Sequence, residues 1–131
     1  MIYLLDVNAL VALGFAPHEF HDRIGSWLRS MRFPPLATCS ITELGFIRVL
    51  AQASAYGLTV SQARTLLLRM KKSDFPEFSF IADDHDVSYM PSWVHTPKQI
   101  TDGHLLELAR AHGAVLATLD NKIRGAYFIP Q

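Results

Sequence analysis

Four carboxylates stand where the predicted strands and helices of this sequence begin or end. Asp6 follows the apolar run IYLL, and Asp120 ends the similar run AVLATLD. Glu43 lies in the first turn of a predicted helix, and Asp102 lies at or near the start of another. Converging carboxylates repel one another and resist burial unless a cation joins them. Because hard oxygen ligands suit Mg²⁺ or Mn²⁺, convergence of the four acids would predict a metal site.

A divalent cation held by carboxylates suits one kind of reaction in particular. The cation binds a phosphate oxygen, lowers the pKa of bound water and stabilises the charge that develops in an in-line displacement. An acidic site of this kind therefore predicts metal-assisted hydrolysis of a phosphodiester bond.

Each acid also has a purely structural interpretation, which spacing alone leaves open. Asp6 and Asp102 both suit the N-cap position of a helix. The segment from Ser40 to Glu43 has the S-x-x-E pattern of a capping box, which on spacing alone is the favoured interpretation of Glu43. Asp120 begins the turn-forming triplet Asp-Asn-Lys. None of these interpretations predicts that the four acids converge.

The elements that must position the acids follow from the hydrophobic pattern. Short apolar runs predict buried strands at IYLL, LATC, FSFIADD, AVLATLD and AYFIP. Segments of helical periodicity separate them. In the segment after LATC that spacing places inward Ile41, Leu44, either Ile47 or Val49, and Leu50. The predicted fold is a three-layer α/β/α architecture with a mostly parallel sheet of four to five strands, formed by residues 1–131 as a single domain. Sites in such sheets lie beyond the carboxyl ends of the strands.

The composition restricts the class of protein. The chain has 131 residues, half of them hydrophobic, and equal numbers of acidic and basic residues. This neutrality argues against wholesale electrostatic binding of nucleic acid and leaves room for a local basic rim. A single cysteine, Cys39, excludes an internal disulfide and indicates a reducing cytoplasm. No basic leader precedes the first apolar run, and no apolar run is long enough to cross a membrane.

Three segments in this order resemble the PIN-domain family, and within it the VapC-type toxin ribonucleases. They are IYLLDVNALVAL, SITELGFIRVL and TPKQITDGHLLELARAHGAVLATLD. The resemblance implies that Asp6, Asp102 and Asp120 hold Mg²⁺ or Mn²⁺, with Glu43 completing the cage or orienting water. It implies an endoribonuclease in which metal-activated water leaves a 5′-phosphate and a 3′-hydroxyl. The implied partners are RNA, a cognate antitoxin and a second copy of the chain.

Further residues receive supporting or substrate-binding roles. Asn8 matches the small polar residue that orients the site of the family, and Thr118 matches the residue that supports the last acid. The candidates for substrate binding are Arg48, His104, Lys122 and Arg124. The last two are basic residues of the kind that a neutral protein needs in order to hold RNA.

Other interpretations remain open at this point. The acids of the segment DDHD, Asp83, Asp84 and Asp86, are interpreted as a solvated loop, and whether they reach the acidic site is left open. A haloacid-dehalogenase-type phosphatase needs a second aspartate where this chain has Asn8, and a receiver domain needs a strand-end lysine that the sequence lacks. A PIN-fold binding protein without catalysis is the remaining alternative.

Overall fold

The computed structural model describes residues 1–131 and has one five-stranded sheet at its centre. The strands are β1 (Ile2–Leu5), β2 (Leu36–Cys39), β3 (Phe78–Ile81), β4 (Ala114–Thr118) and β5 (Tyr127–Phe128). Their order across the sheet is β3-β2-β1-β4-β5, and all neighbouring pairs are parallel. The predicted mostly parallel sheet of four to five strands is confirmed. All the carboxyl ends of the strands therefore lie on one side, which we call the carboxyl edge.

Five helices cover the sheet. They are α1 (Val7–Gly14), α2 (His21–Ser30), α3 (Ser40–Gln52), α4 (Val60–Met70) and α5 (Pro97–Ala111), with short 3₁₀ turns at Ser54–Tyr56 and Val87–Tyr89. Local sequence explains several of their ends. Thr59 and Gln62 form a capping box at the start of α4, and Gly113 takes a positive φ of 68° just after α5. None of the helices has the length and apolar character that a membrane span requires.

The sheet separates two hydrophobic clusters, as the alternation of strand side chains requires. Tyr3 and Leu5 of β1 belong to the cluster that includes buried residues of α1, α2, α3 and α4. Leu4, which points to the opposite face, belongs to the cluster formed with Leu105 and Leu108 of α5. The molecule therefore has the predicted three layers, with four helices on one face of the sheet and α5 on the other.

Helices α1 and α3 approach each other closely beside the carboxyl edge. A Cβ atom at Gly45 would lie 2.5 Å from Cγ2 of Val7, so this contact requires glycine. The face of α3 differs from the prediction in part, because Phe46 is fully buried while Leu44 is 59% exposed. Asp6 comes just before Val7, and Glu43 lies two residues before Gly45. The contact between α1 and α3 therefore keeps these two acids on neighbouring elements.

Candidate active site

Asp6 connects the end of β1 to the start of α1. Its Oδ1 accepts a hydrogen bond of 2.8 Å from the backbone nitrogen of Val7, which confirms the interpretation as the N-cap of α1. Its Oδ2 accepts a hydrogen bond of 2.9 Å from Oγ1 of Thr118 on β4. The residue is only 7% exposed. Capping therefore explains one carboxylate oxygen of Asp6, while the other is turned toward the neighbouring strand.

The hydroxyl of Thr118 is the centre of a small network that joins the ends of β1 and β4. Besides donating to Asp6, Thr118 Oγ1 accepts a hydrogen bond of 3.0 Å from the backbone nitrogen of Asp120. Asn8 Nδ2 lies 3.3 Å from the same hydroxyl, and Asn8 Oδ1 accepts a hydrogen bond of 3.1 Å from the backbone nitrogen of Leu119. The residues predicted to support the acids thus hold Asp6 and Asp120 at the same part of the carboxyl edge.

Asp102 lies in the second turn of α5, so the alternative interpretation of this residue as an N-cap is wrong. The helix begins earlier than expected because Thr96 caps it and Pro97 occupies its first position, where proline is well tolerated. Asp102 is therefore a side chain on the body of the helix. Its position puts it within electrostatic range of Asp6 and Asp120.

The carboxyl groups of Asp102 and Asp6 are both harder to ionise than a free aspartate. Burial raises the pKa of the Asp102 carboxyl to about 6, with further contributions from the negative charges of Asp6 and Asp120. Burial also raises the pKa of Asp6, and the charge of Asp120 adds to this effect. Hydrogen bonds from Thr118 and the backbone of Val7 act in the opposite direction without cancelling it. No ion pair of the structure includes any of the three aspartates.

This set of donors fits a hard divalent cation. The three side chains offer only carboxylate oxygens, which Mg²⁺ and Mn²⁺ prefer over nitrogen and sulfur. Their crowding is unfavourable without a positive charge, and no lysine or arginine supplies one. The chemistry of Asp6, Asp102 and Asp120 therefore suits such an ion.

Glu43 has a different environment. Its Oε2 accepts a hydrogen bond of 2.6 Å from Oγ1 of Thr38 and forms an ion pair of 2.5 Å with Nζ of Lys71. The capping-box interpretation of Glu43 is wrong because α3 begins at Ser40 itself, and its N-cap is Cys39, whose backbone nitrogen donates to Thr42 Oγ1. Sequence reasoning missed Lys71, which looked like an ordinary basic residue at the end of a helix.

The four candidates for substrate binding are in three different places. Arg48 is exposed on α3, while Lys122 and Arg124 are exposed in the loop between β4 and β5. The backbone nitrogen of Lys122 donates to Asp120 Oδ1 at 2.9 Å, which places this loop directly beside the acids. His104 is paired with an acid outside the group of three aspartates, since its Nε2 lies 2.5 Å from Oδ2 of Asp83.

The segment DDHD after β3 is only partly the solvated loop that the sequence predicted. The side chain of Asp84 is 69% exposed, and Asp86 accepts from the backbone of Ser88 in a local turn. Asp83, in contrast, is partly buried in its ion pair with His104. The contacts of these acids run to the neighbouring histidines and to Ser88, and none runs to Asp6, Asp102 or Asp120.

Comparison with known proteins gives matches along almost the whole chain. Residues 3–129 match the family model described as the PIN domain. Ribonuclease VapC44 of Mycobacterium tuberculosis is 37% identical over 125 residues, which cover 92% of this chain and 87% of the relative. Ribonuclease VapC38 of the same organism is 37% identical over 124 residues, covering 89% and 84%.

Solved structures agree with the fold. The crystal structure of VapC20 of Mycobacterium tuberculosis, a toxin that cleaves the sarcin-ricin loop, has a TM-score of 0.62 at 13% identity and 92% coverage of both chains. VapBC2 from Rickettsia felis, bound to a DNA fragment from their promoter, has a TM-score of 0.63 at 15% identity, covering 98% of this chain and 97% of that one. The chain therefore belongs to the PIN-domain family and, within it, to the VapC-type proteins.

Proposed function

We propose that this chain is a divalent-metal-dependent endoribonuclease that acts as the toxin of a type II toxin–antitoxin pair. The observation that carries the proposal is a group of three carboxylates at the carboxyl edge that lie within electrostatic range of one another: Asp6, Asp102 and Asp120. The 37% identity to two curated ribonucleases over most of the chain supports RNA as the substrate.

In this proposal Asp6, Asp102 and Asp120 hold Mg²⁺ or Mn²⁺. When bound, such an ion supplies Lewis-acid chemistry: it polarises a phosphate oxygen and lowers the pKa of a water molecule. The preference for magnesium or manganese rests on the donor set, which is made of carboxylate oxygens alone. Binding of the ion also favours the ionised form of Asp102, because the pKa of this carboxyl is otherwise raised to about 6.

The surrounding residues keep the acids in place. Thr118 fixes the orientation of Asp6 through Oδ2 and fixes the backbone of Asp120, and Asn8 holds the end of β4 against the start of α1. These bonds order the ligands before substrate binds, which reduces the reorganisation that binding would otherwise require.

Glu43 is assigned a supporting role. Both of its contacts fall on Oε2, where Thr38 and Lys71 fix the side chain, and this leaves Oε1 to orient a water molecule. We assign RNA contacts to Lys122 and Arg124, because their loop adjoins Asp120, and to Arg48 on α3. His104 is assigned to a structural ion pair instead.

The partners follow from the family. We propose a small antitoxin protein that covers or disrupts the site, and a homodimer as the active form. The proposed location is the cytoplasm, where RNA is available and where the free, buried Cys39 stays reduced. Residues 1–131 act as a single PIN-like domain in this proposal.

The test is RNA cleavage by the purified protein with Mg²⁺, with Mn²⁺ and with EDTA. Asp6→Asn and Asp102→Asn are each compared with Asp22→Asn, a matched change of an exposed aspartate on α2. We expect cleavage to require the metal and to be lost in the first two variants only. Cleavage that survives both substitutions, or that continues in EDTA, would overturn the mechanism.

The toxin role has a separate test. Expression of the protein should arrest growth, and co-expression of the small gene product encoded beside it should relieve the arrest. Arrest by the Asp102→Asn variant equal to that by the native protein would contradict this role.

A further inference from the structure

A second cluster of possible ligands joins the segment after β3 to the C-terminal end of α5. One ligand atom each from Asp84, His85 and His112 lies within 4.8 Å of the other two. Asp84 Oδ1 is 3.7 Å from His85 Nε2 and 3.6 Å from His112 Nε2. These distances are too long for hydrogen bonds. Two ligand atoms that bind one tetrahedral zinc ion at 2.0–2.2 Å lie about 3.4 Å apart, so both distances are close to those of a shared ion.

His112 is already oriented as metal-binding histidines are. Its Nδ1 lies 2.9 Å from the carbonyl oxygen of Leu108, and since a carbonyl only accepts, Nδ1 carries the proton. The lone pair is then on Nε2, the nitrogen that faces Asp84. A backbone carbonyl in this position fixes the tautomer and raises the basicity of a ligating imidazole. His112 also follows the last turn of α5, where the helix dipole favours positive charge.

The imidazole of His85 is buried and makes no hydrogen bond. Its side chain is only 5% exposed, yet its Nδ1 is buried without any hydrogen-bond partner. The other ring nitrogen, Nε2, lies 3.7 Å from Asp84 Oδ1, so it makes no hydrogen bond either and is the nitrogen that faces the cluster. The ring is held firmly, because it stacks on Tyr89 with a centroid separation of 3.9 Å and an interplanar angle of 19°. The fold therefore holds the ring in place with Nε2 free of hydrogen bonds and able to bind an ion.

We propose that Asp84, His85 and His112 form a second metal site, which binds a transition-metal dication such as Zn²⁺, Co²⁺ or Ni²⁺. Two imidazoles and one carboxylate suit these ions, whereas Mg²⁺ prefers oxygen ligands and keeps much of its water. Three protein ligands leave a position for water. This site shares no residue with the acidic site and does not depend on the proposed nuclease function.

Binding of the ion links two parts of the chain that are otherwise joined by the pair Asp83–His104 and by local packing. The ion would hold the DDHD segment against α5, the helix that carries Asp102. The expected consequence is a higher unfolding temperature in the presence of the ion, because a ligand that binds only the folded state stabilises it.

The test is titration of the intact protein with Co²⁺, followed by the visible absorption of the bound ion, in buffer with millimolar Mg²⁺ to occupy the acidic site. We expect saturation at one Co²⁺ per chain. The variant His112→Gln should bind at least about tenfold more weakly, a loss that even an outer partner of a ligand produces. The matched control is His95→Gln, which changes an exposed histidine outside the cluster and should bind as the native protein does.

Two further measurements make the result unambiguous. The unfolding temperature of His112→Gln without metal shows whether the variant is folded. Asp84→Asn repeats the test at a side chain that is 69% exposed, where substitution leaves the fold intact. Equal Co²⁺ binding by the native protein and both cluster variants would overturn the proposal. So would an equal loss in His95→Gln, since that result would indicate adventitious binding to surface histidines.

Discussion

Two acidic regions share the carboxyl edge of the sheet and differ in how their charge is balanced. Asp6, Asp102 and Asp120, beside β1 and β4, lie within electrostatic range of one another and form no ion pair with a basic side chain. Glu43, beside β2, has its own cation in Lys71 and a hydroxyl donor in Thr38. Acids that share one sequence pattern thus differ in their surroundings. The charge of Glu43 is balanced by a lysine, whereas no basic side chain balances the charges of the three aspartates.

The largest expected effect is a difference in the rate of RNA cleavage between substitutions in the two regions. Asp120→Asn removes a proposed ligand and should slow RNA cleavage by at least about 10³-fold, because charge stabilisation by the metal is worth several kcal/mol. Glu43→Gln removes only a group that orients water, and about a tenfold to hundredfold loss is expected from a hydrogen bond to a charged group. Single-turnover cleavage at saturating Mg²⁺ measures both. Equal losses would contradict the division into two regions.

The next effect concerns the network that holds the three aspartates. Thr118→Val leaves Asp6 Oδ2 and the backbone nitrogen of Asp120 without their partner, which should lower the free energy of unfolding by about 1–3 kcal/mol. It should also weaken Mg²⁺ binding by about tenfold. Thr118→Ser keeps the hydroxyl and is the control for metal affinity. Equally weak Mg²⁺ binding by the serine and valine variants would show that the hydroxyl is not the important group.

A smaller effect tests the internal pairing of Glu43. Lys71→Gln leaves a partly buried carboxylate without its cation and should destabilise the protein by about 1 kcal/mol, the upper range for partly exposed ion pairs. Lys72→Gln, at the exposed neighbouring position, should change stability by less than about 0.5 kcal/mol. Urea unfolding measures the two variants. Indistinguishable midpoints would mean that the pair contributes nothing to stability.

The smallest effect is a pH dependence of the metal-free protein. The Asp102 carboxyl has a pKa of about 6 in the fold against 3.8 in the unfolded chain. The folded state therefore keeps this proton to a higher pH than the unfolded chain does. As a result, the free energy of unfolding falls as pH rises from about 4 through 6. The asparagine of the Asp102→Asn variant cannot ionise, so this variant should not lose stability over that pH range. Because Asp102 is partly exposed, solvent screening reduces the expected difference at pH 7 to about 1 kcal/mol, or roughly 3 °C in Tm.

This difference is measured in EDTA as the Tm of the Asn variant minus that of the native protein at each pH. It should grow between pH 4 and 6.5 and then stay level. Added Mg²⁺ should stabilise the native protein and leave the Asn variant nearly unchanged. A difference in Tm that is constant with pH would show that the fold does not raise the pKa of Asp102.

Much of the fold was predictable because short-range signals agree with it. The apolar runs IYLL, LATC and AVLAT each became a buried parallel strand, since continuous hydrophobicity suits strands covered on both faces. Helix starts were less certain. Thr96-Pro97 moved the start of α5 ahead of Asp102, and Cys39 with Thr42 replaced the expected cap of α3. A shift of one to six residues was enough to change the interpretation of two acids.

The features that the sequence did not predict depend on residues distant along the chain. Lys71 meets Glu43 only because α4 packs on α3, and no spacing rule connects positions 28 apart. His112 meets Asp84 and His85 only because the segment after β3 folds over α5. Local patterns describe which residues start an element, whereas the partner of a charged side chain is decided by packing.

The hydrogen bond between Thr118 and Asp6 joins residues 112 positions apart, and this has a consequence for the order of synthesis. A ribosome makes β1 long before it makes β4, and β4 must then insert beside β1 in the sheet. Until that happens, the three aspartates have nowhere to meet. If the proposed function is correct, a chain that has not yet formed β4 lacks the complete acidic site. The topology thus makes cleavage of RNA depend on the pairing of β4 with β1.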